Sequence, residues 1–453
     1  MTETMRITQF KEENCNLCGE CLHRCPVLRL PIDEAKAEMK RLISGEESKY
    51  ALYKCNTCFS CNLYCPTGAN PYQLILERWN DLYAKRGAPP LYRFVCPTET
   101  PNIWETLNLF LSDRERQWVE AWVSHTPRPE EDLLMIGNYT HLFPFVIGGS
   151  ALLDHFTPVS RVDQWEGGAY LYQGGYLDEV RRIAERCRRD FESWGSTSVA
   201  HTLDAVEYIF SEVHPKEMGV SHSPHFINFN RWMLEKIEAG EIPLKQKLDI
   251  TVTLHDNCYS KACGGAYWDV PRRLIDACGC KLIEMEHIRE DSLCCGFGAG
   301  ASWVKNYAMP FDIISEGAKK FREAEATGAQ ALVTYCGGCL YLLWATRELM
   351  GSRIDVYHII EVVRMAMGEA LDYPREHERR AWDIIAIITY QLMRSVFQKN
   401  FTITEITYDK EMSTFRPKRY PLLRFIRFCF RSSPIRKGYA ALFRTLMPFV
   451  RTR

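Results

Sequence analysis

The chain has 453 residues, 46% of them apolar and 25% charged, with 57 acidic against 56 basic side chains. That length suits roughly two to four globular domains. A net charge of −1 gives no global field for nucleic acid, and no nucleic-acid-binding motif accompanies the local charges. Cysteine is the outlier, with 19 residues. Met1 to Arg6 carries no apolar signal segment. The longest apolar run, Ile384 to Met393, is broken by Thr389 and Gln391 and is too short to cross a bilayer. The expectation is a chain in a reducing cytoplasm, where clustered cysteines hold metal rather than disulfides.

The first cluster is a repeat. Cys15-x2-Cys18-x2-Cys21-x3-Cys25-Pro26 recurs as Cys55-x2-Cys58-x2-Cys61-x3-Cys65-Pro66. This is the bacterial run for a [4Fe–4S] cubane, in which three cysteines of one run share a cluster with the fourth of the other. One cubane is expected on Cys15, Cys18, Cys21 and Cys65, and a second on Cys55, Cys58, Cys61 and Cys25. A four-cysteine zinc site calls for CxxC pairs, not quadruplets closing in Cys-Pro. Ile32, Ala35, Met39 and Leu42 recur at helical spacing after Pro31. A second helix runs from Tyr72 to Tyr83 and is closed by Gly87. Residues 1–90 therefore read as an α-helical two-cluster domain. Residues 91–131 read as a connector with a lone Cys96 and a tryptophan-bearing helix from Trp104 to Trp122.

From Leu133 the texture is alternating strand and helix, which implies a mostly parallel sheet. Strands are expected at Leu133–Ile136, Asp249–Leu254, Leu282–Met285 and Ala331–Thr334, and helices at Leu177–Trp194 and Phe311–Ala326. The region also reads as a faded tandem repeat. Gln164-Trp165-Glu166-Gly167-Gly168 and Val199–Leu203 stand in residues 132–247 roughly where cysteine groups stand in residues 248–372. The fold expected is α+β multidomain: the helical two-cluster domain, two α/β lobes with the first degenerate, and a tail over 373–453.

The second lobe carries His255-Asp256-Asn257-Cys258, then Cys294-Cys295-Gly296-Phe297-Gly298-Ala299-Gly300, then Cys336-Gly337-Gly338-Cys339. Adjacent cysteines bridge with difficulty, whereas soft thiolates in a cluster suit iron–sulfur centres. The five sulfurs are expected to converge on one inorganic centre. Gly296 and Gly298 let backbone approach it and leave room above. His255 is the candidate proton donor, with a purely structural loop-fixing role for His255 and Asp256 as the alternative. Cys263, Cys278 and Cys280 read as packing thiols.

Two cubane runs followed by C…CCG…CxxC resemble the heterodisulfide reductase catalytic-subunit family, over nearly the whole chain to about residue 370. The resemblance implies a non-cubane [4Fe–4S] centre held by Cys258, Cys294, Cys295, Cys336 and Cys339. The 35 residues between Cys258 and Cys294 suit the family, and the 40 between Cys295 and Cys336 are a few more than usual. The extra residues fall around Trp303 to Pro310, and CGGC replaces the frequent CPxC. A single loaded lobe looks like the cytoplasmic iron–sulfur subunits of membrane redox complexes in sulfate-reducing microbes. That likeness implies as partners an integral membrane cytochrome or quinone-interacting subunit, other iron–sulfur subunits, and a small disulfide or thiol, free or on a small protein. The alternatives are an iron–sulfur subunit of lactate, glycolate or glycerol-3-phosphate oxidation, and a pure electron conduit.

From Met412 to Arg453 no acidic residue occurs. Arg424, Arg427 and Arg431 lie on one helical face among Leu422, Phe425, Ile426, Phe428 and Phe430. Such a stretch suits peripheral attachment to the anionic inner face of the cell membrane, or docking to a membrane subunit. The alternative is an ordinary helix packed on the body with a solvated charge stripe.

Overall fold

The computed structural model describes residues 10–96, 98–161, 167–300, 307–370, 375–404 and 420–450. Gln164, Trp165 and Glu166, residues 303–306 of the insertion and residues 412–419 of the tail lie outside that description, as does Met1 to Arg6.

The two cysteine runs fold alike. Each carries a short helix, Glu20–His23 and Ser60–Leu63, entered through a left-handed residue, Gly19 at φ 80° and Phe59 at φ 64°. Leu17 at φ 55° and Thr57 at φ 51° match in the same way. Non-glycine residues avoid this region unless their surroundings impose it, so the repeat extends to backbone shape. Helix Ile32–Ser44 separates the runs and ends at Gly45. Helix Pro71–Arg86 follows, with proline in its first turn and Gly87 at its end. A side chain on Gly87 would meet the Phe401 carbonyl at 2.8 Å, because Ala88 pairs there with Phe401.

The connector departs from the expected single helix. It forms Ile103–Asn108 and Asp113–Ser124, because Ser112 and Glu115 close a capping box that starts a new helix.

The first lobe contains β1 (Leu133–Met135), β2 (Thr157–Val159), β3 (Ser198–His201) and β4 (His225–Asn228). They form a parallel sheet in the order β2-β1-β3-β4. The second lobe repeats the plan with β5 (Thr251–His255), β6 (Lys281–Leu282), β7 (Ala331–Thr334) and β8 (Asp355–His358), in the order β6-β5-β7-β8. β6 is two residues long, shorter than the sequence suggests. Helices Leu177–Trp194, Met309–Ala326 and Gly337–Met350 cover the sheets.

β1 explains how the lobes and the cluster region meet. Strand side chains alternate between faces. Leu134 enters the core shared with the second lobe, while Leu133 and Met135 enter the core shared with the two cysteine runs. Both faces are covered, so all three residues are buried and apolar.

Candidate metal centre

The first eight cysteines separate into two crossed groups. Burial pushes the Cys21 thiol up to about 12, and its charged neighbours are Cys65, Cys18 and Cys15. Those four sulfurs border one small cavity with Cys65 opposite the first run. Burial also raises Cys61, whose neighbours are Cys55, Cys21, Cys58 and Cys25. Each run thus lends its fourth cysteine to the other, and Cys21 facing Cys61 joins the groups. Backbone N–H groups point at the sulfurs: Thr57 at Cys55 (3.3 Å), Leu28 at Cys25 (3.4 Å) and Ala69 at Cys65 (3.3 Å).

The third group forms where a parallel sheet of this order reverses. β5 has β6 on one side and β7 on the other, and the crevice beyond the carboxyl ends of two such strands is the natural binding place of an open α/β sheet. Cys258 follows β5 and Cys336 follows β7, each at the entry of a helix. Cys295 lies in direct contact with Cys294 and Cys339, which hold its thiol low, and Cys339 also contacts Cys336. Burial raises Cys258, beside Cys336, Cys295 and, from the second run, Cys58. The five sulfurs therefore converge, and Gln173, donating to Cys258 Sγ and to the Thr57 carbonyl, ties them to the second run. Among the described residues no cysteine is in a disulfide. Thiols raised by burial and crowded by other sulfurs need a cation to stay ionised, and a purely soft donor set fits iron–sulfur binding.

The scaffold around this group is cross-linked by hydrogen bonds. Asp256 is buried against the cost of desolvation because Arg272 grips both its oxygens at 2.9 Å, the Arg289 N–H donates at 2.7 Å and the Tyr335 hydroxyl at 3.1 Å. Asp256 ties together helix Ala266–Ala277, which carries Arg272, the turn at Arg289 and the end of β7. His255, 1% exposed, presents a ring nitrogen within 4.8 Å of the sulfurs of Cys295 and Cys339. Cys96, Cys278 and Cys280 are buried in the cores.

The glycines serve protein neighbours rather than open space. Gly296, at φ 103°, has the Ile313 carbonyl 2.2 Å from where a Cβ would sit, and its N–H donates to Cys294 Sγ at 3.3 Å. A Cβ on Gly298 would lie 1.8 Å from the Asn56 carbonyl oxygen. The third group's loop is thus pressed onto the second run's loop. Lys261, 2% exposed, ties the same junction by donating to Ser60 Oγ at 2.8 Å and the Ser292 carbonyl at 2.7 Å.

The first lobe supplies a cover without thiols. Tyr139, Phe143 and Leu203 pack on Gly337, and Tyr170 meets Phe297 edge-on at 4.6 Å. Leu203 precedes its helix as Cys336 precedes its own. A polar side chain also enters this cover: Gln173 Nε2 donates to Cys258 Sγ at 3.2 Å. Sequence reading missed Gln173 and Lys261, since neither belongs to a motif. The only available signal was the position of Gln173 a few residues beyond the Gly167-Gly168 pair.

The tail forms helices Pro421–Cys429 and Ser433–Val450. Arg427 pairs with Asp383 at 2.6 Å and lies over the Phe110 ring at 4.2 Å, so it docks the tail onto the body. Phe425, Phe428 and Phe449 remain 62%, 65% and 84% exposed. Among the described residues no helix is long and apolar enough to cross a membrane.

The chain matches the cysteine-rich CCG domain over residues 252–343 and the 4Fe-4S dicluster domain over residues 11–69. It is similar to a subunit of the dihydromethanophenazine:CoB–CoM heterodisulfide reductase of Methanosarcina acetivorans, with 23% identity over 82% of this chain and 98% of that one. It is also similar to a subunit of the fumarate reductase (CoM/CoB) of Methanothermobacter marburgensis, with 25% identity over 79% of this chain and 73% of that one. A probable membrane-anchored ferredoxin of Chromohalobacter salexigens is 33% identical over 55% of this chain and 39% of its own length. With both cysteine-bearing regions matched and the likeness extending across the chain, the protein is an iron–sulfur electron-transfer subunit of the CCG-domain type, homologous to the matching subunit of heterodisulfide reductase.

Proposed function

We propose that the chain carries electrons through two cubanes to a third, non-cubane [4Fe–4S] centre that exchanges them with a thiol/disulfide partner. The ligands assigned are Cys15, Cys18, Cys21 and Cys65; Cys25, Cys55, Cys58 and Cys61; and Cys258, Cys294, Cys295, Cys336 and Cys339. The observation that carries this reading is the order of the sulfur groups. The short helices of the two runs touch, the loop after Cys295 presses on Asn56 and Thr57 of the second run, and Gln173 spans Cys258 Sγ and the Thr57 carbonyl, so the second group adjoins both of the others.

Reducing a disulfide takes two electrons and two protons and yields two thiols. When bound, the third cluster supplies an iron site that can accept sulfur and pass electrons one at a time. The chain's own residues do the rest. Asp256, Arg272 and Tyr335 fix the strand end from which Cys258 and His255 project. His255 hands a proton to a departing sulfur, from its place beside Cys295 and Cys339. Lys261 and the contact at Gly298 hold the second and third groups together.

Anaerobic titration of the reduced chain with a small aliphatic disulfide, followed by EPR, tests this reading. A new paramagnetic signal from the third centre alone is expected. No change at that centre favours the conduit reading, which the aromatic cover of Tyr139, Phe143 and Tyr170 supports.

The exposed aromatics and the basic composition of the tail support peripheral attachment to an anionic membrane face, beside a cytochrome or quinone-interacting subunit. The similarity to subunits of multi-component redox enzymes supports partners of that kind.

A further inference from the structure

Gln173 lies at the end of helix Ala169–Gln173 in the first lobe, which has no cysteine cluster, and it is 2% exposed. Its Nε2 donates to two atoms, Cys258 Sγ at 3.2 Å and the Thr57 carbonyl oxygen at 3.3 Å. A carbonyl oxygen only accepts, so the amide nitrogen, not the amide oxygen, faces this junction. One side chain therefore touches a sulfur of the third group and the backbone between Cys55 and Cys58.

Its position is clamped. A Cβ on Gly174 would meet the Tyr92 hydroxyl at 2.7 Å. Gly175, at φ 74°, lies so close to helix Pro71–Arg86 that a Cβ would meet the Leu76 carbonyl at 2.7 Å. The turn after Gln173 thus sits hard against the cluster region, which fixes the backbone that carries the amide. The side chains of the cover that pack on Gly337 and Phe297, namely Tyr139, Phe143, Leu203 and Tyr170, are apolar or aromatic. A dipole in such surroundings acts at high strength.

Resting on the reading that Cys258 helps hold a third centre, we propose that Gln173 is a positioning residue that sets that centre's potential. An N–H donated to a ligand sulfur stabilises the extra negative charge of the reduced state. The bond therefore raises the midpoint potential of the third centre and draws electrons onto it from the neighbouring cubane. The first lobe, which has no cysteine cluster, thus has a function in holding this donor in place.

The test is an EPR-monitored potentiometric titration of the full chain as wild type, Gln173→Met and Gln173→Asn. Met keeps the length and removes the donor. Asn keeps the amide but withdraws it by one methylene. Both are expected to lower the third-centre midpoint by about tenfold in the one-electron equilibrium, or about 59 mV, with both cubane midpoints unmoved. If Gln173→Met loses the centre, Gln173→Asn carries the comparison. An unchanged midpoint in a variant that retains the centre overturns the proposal. A wild-type chain with only two titrating centres overturns the underlying three-centre reading instead, and the proposal with it.

Discussion

Replacing Gly298 by alanine probes the contact that brings the second and third sulfur groups together. The new Cβ would stand 1.8 Å from the Asn56 carbonyl oxygen, 2.8 Å from its carbon and 2.7 Å from Thr57 Oγ1. Heavy atoms are relaxed at about 3.5 Å, so the two loops must part by about 1.7 Å. Backbone blocks the move on both sides: Asn56 sits in a run with left-handed residues, and Gly296 is held against Ile313. Overpacking costs typically about 1–3 kcal/mol, and a backbone-limited site belongs at the upper end, about 3 kcal/mol. Gly438 is the control. It lies exposed inside Ser433–Val450 with nothing within 4 Å of a built Cβ, so Gly438→Ala should stabilise by up to about 1 kcal/mol. Anaerobic thermal melts followed by circular dichroism read both. Gly298→Ala should melt lower by about 3 °C, and Gly438→Ala no lower than wild type. Equal melting of Gly298→Ala and wild type would refute the placement of these loops.

Arg272→Lys replaces a two-pronged grip on Asp256 with a single point charge, so it should cost about 2 kcal/mol in a denaturant melt and loosen the Cys258 loop. Burial raises Glu217 to about 7 from 4.5, although Tyr172 and Gln73 pull the other way. The folded chain then keeps a proton that the unfolded chain sheds near pH 4.5, and stability falls as pH rises from about 4.5 to about 7. Discounted for partial exposure, the loss is about 2 kcal/mol. Glu217→Gln should be flat over that window and more stable than wild type above pH 7, read by melts across pH. For the tail, Phe425→Asp with Phe449→Asp should abolish co-sedimentation with anionic vesicles without lowering the melting temperature, since both rings are exposed. Unchanged binding would assign these rings to a protein partner.

Much of this architecture was legible because its signals are local. The cysteine runs repeat residue for residue, and Pro31, Pro71, Gly45 and Gly87 mark helix ends by backbone chemistry alone. The apolar triplet Leu133–Met135 and the run Ala331–Thr334 announce buried parallel strands. The split at Ser112 was legible too, as a Ser-x-x-Glu box, but the tryptophans around it carried the helical pattern across. What was hidden depends on contacts between distant segments. Gly298 reads as freedom near a metal until the Asn56 carbonyl is seen against it. Gln173 and Lys261 are ordinary polar residues whose partners lie 85 and 201 positions away. The tail arginines read as one charged stripe, yet Arg427 folds back on Asp383.

The central claim is met most directly by iron and acid-labile sulfide analysis with EPR on the anaerobically purified wild type and Cys295→Ala. Cys295 is buried and in contact with Cys294 and Cys339, at the middle of the third group and outside both runs. The account predicts about twelve irons in the wild type. It predicts a loss of up to four in the variant, with the third-centre signal gone and both cubane signals intact. Iron content and spectra unchanged by Cys295→Ala would contradict it.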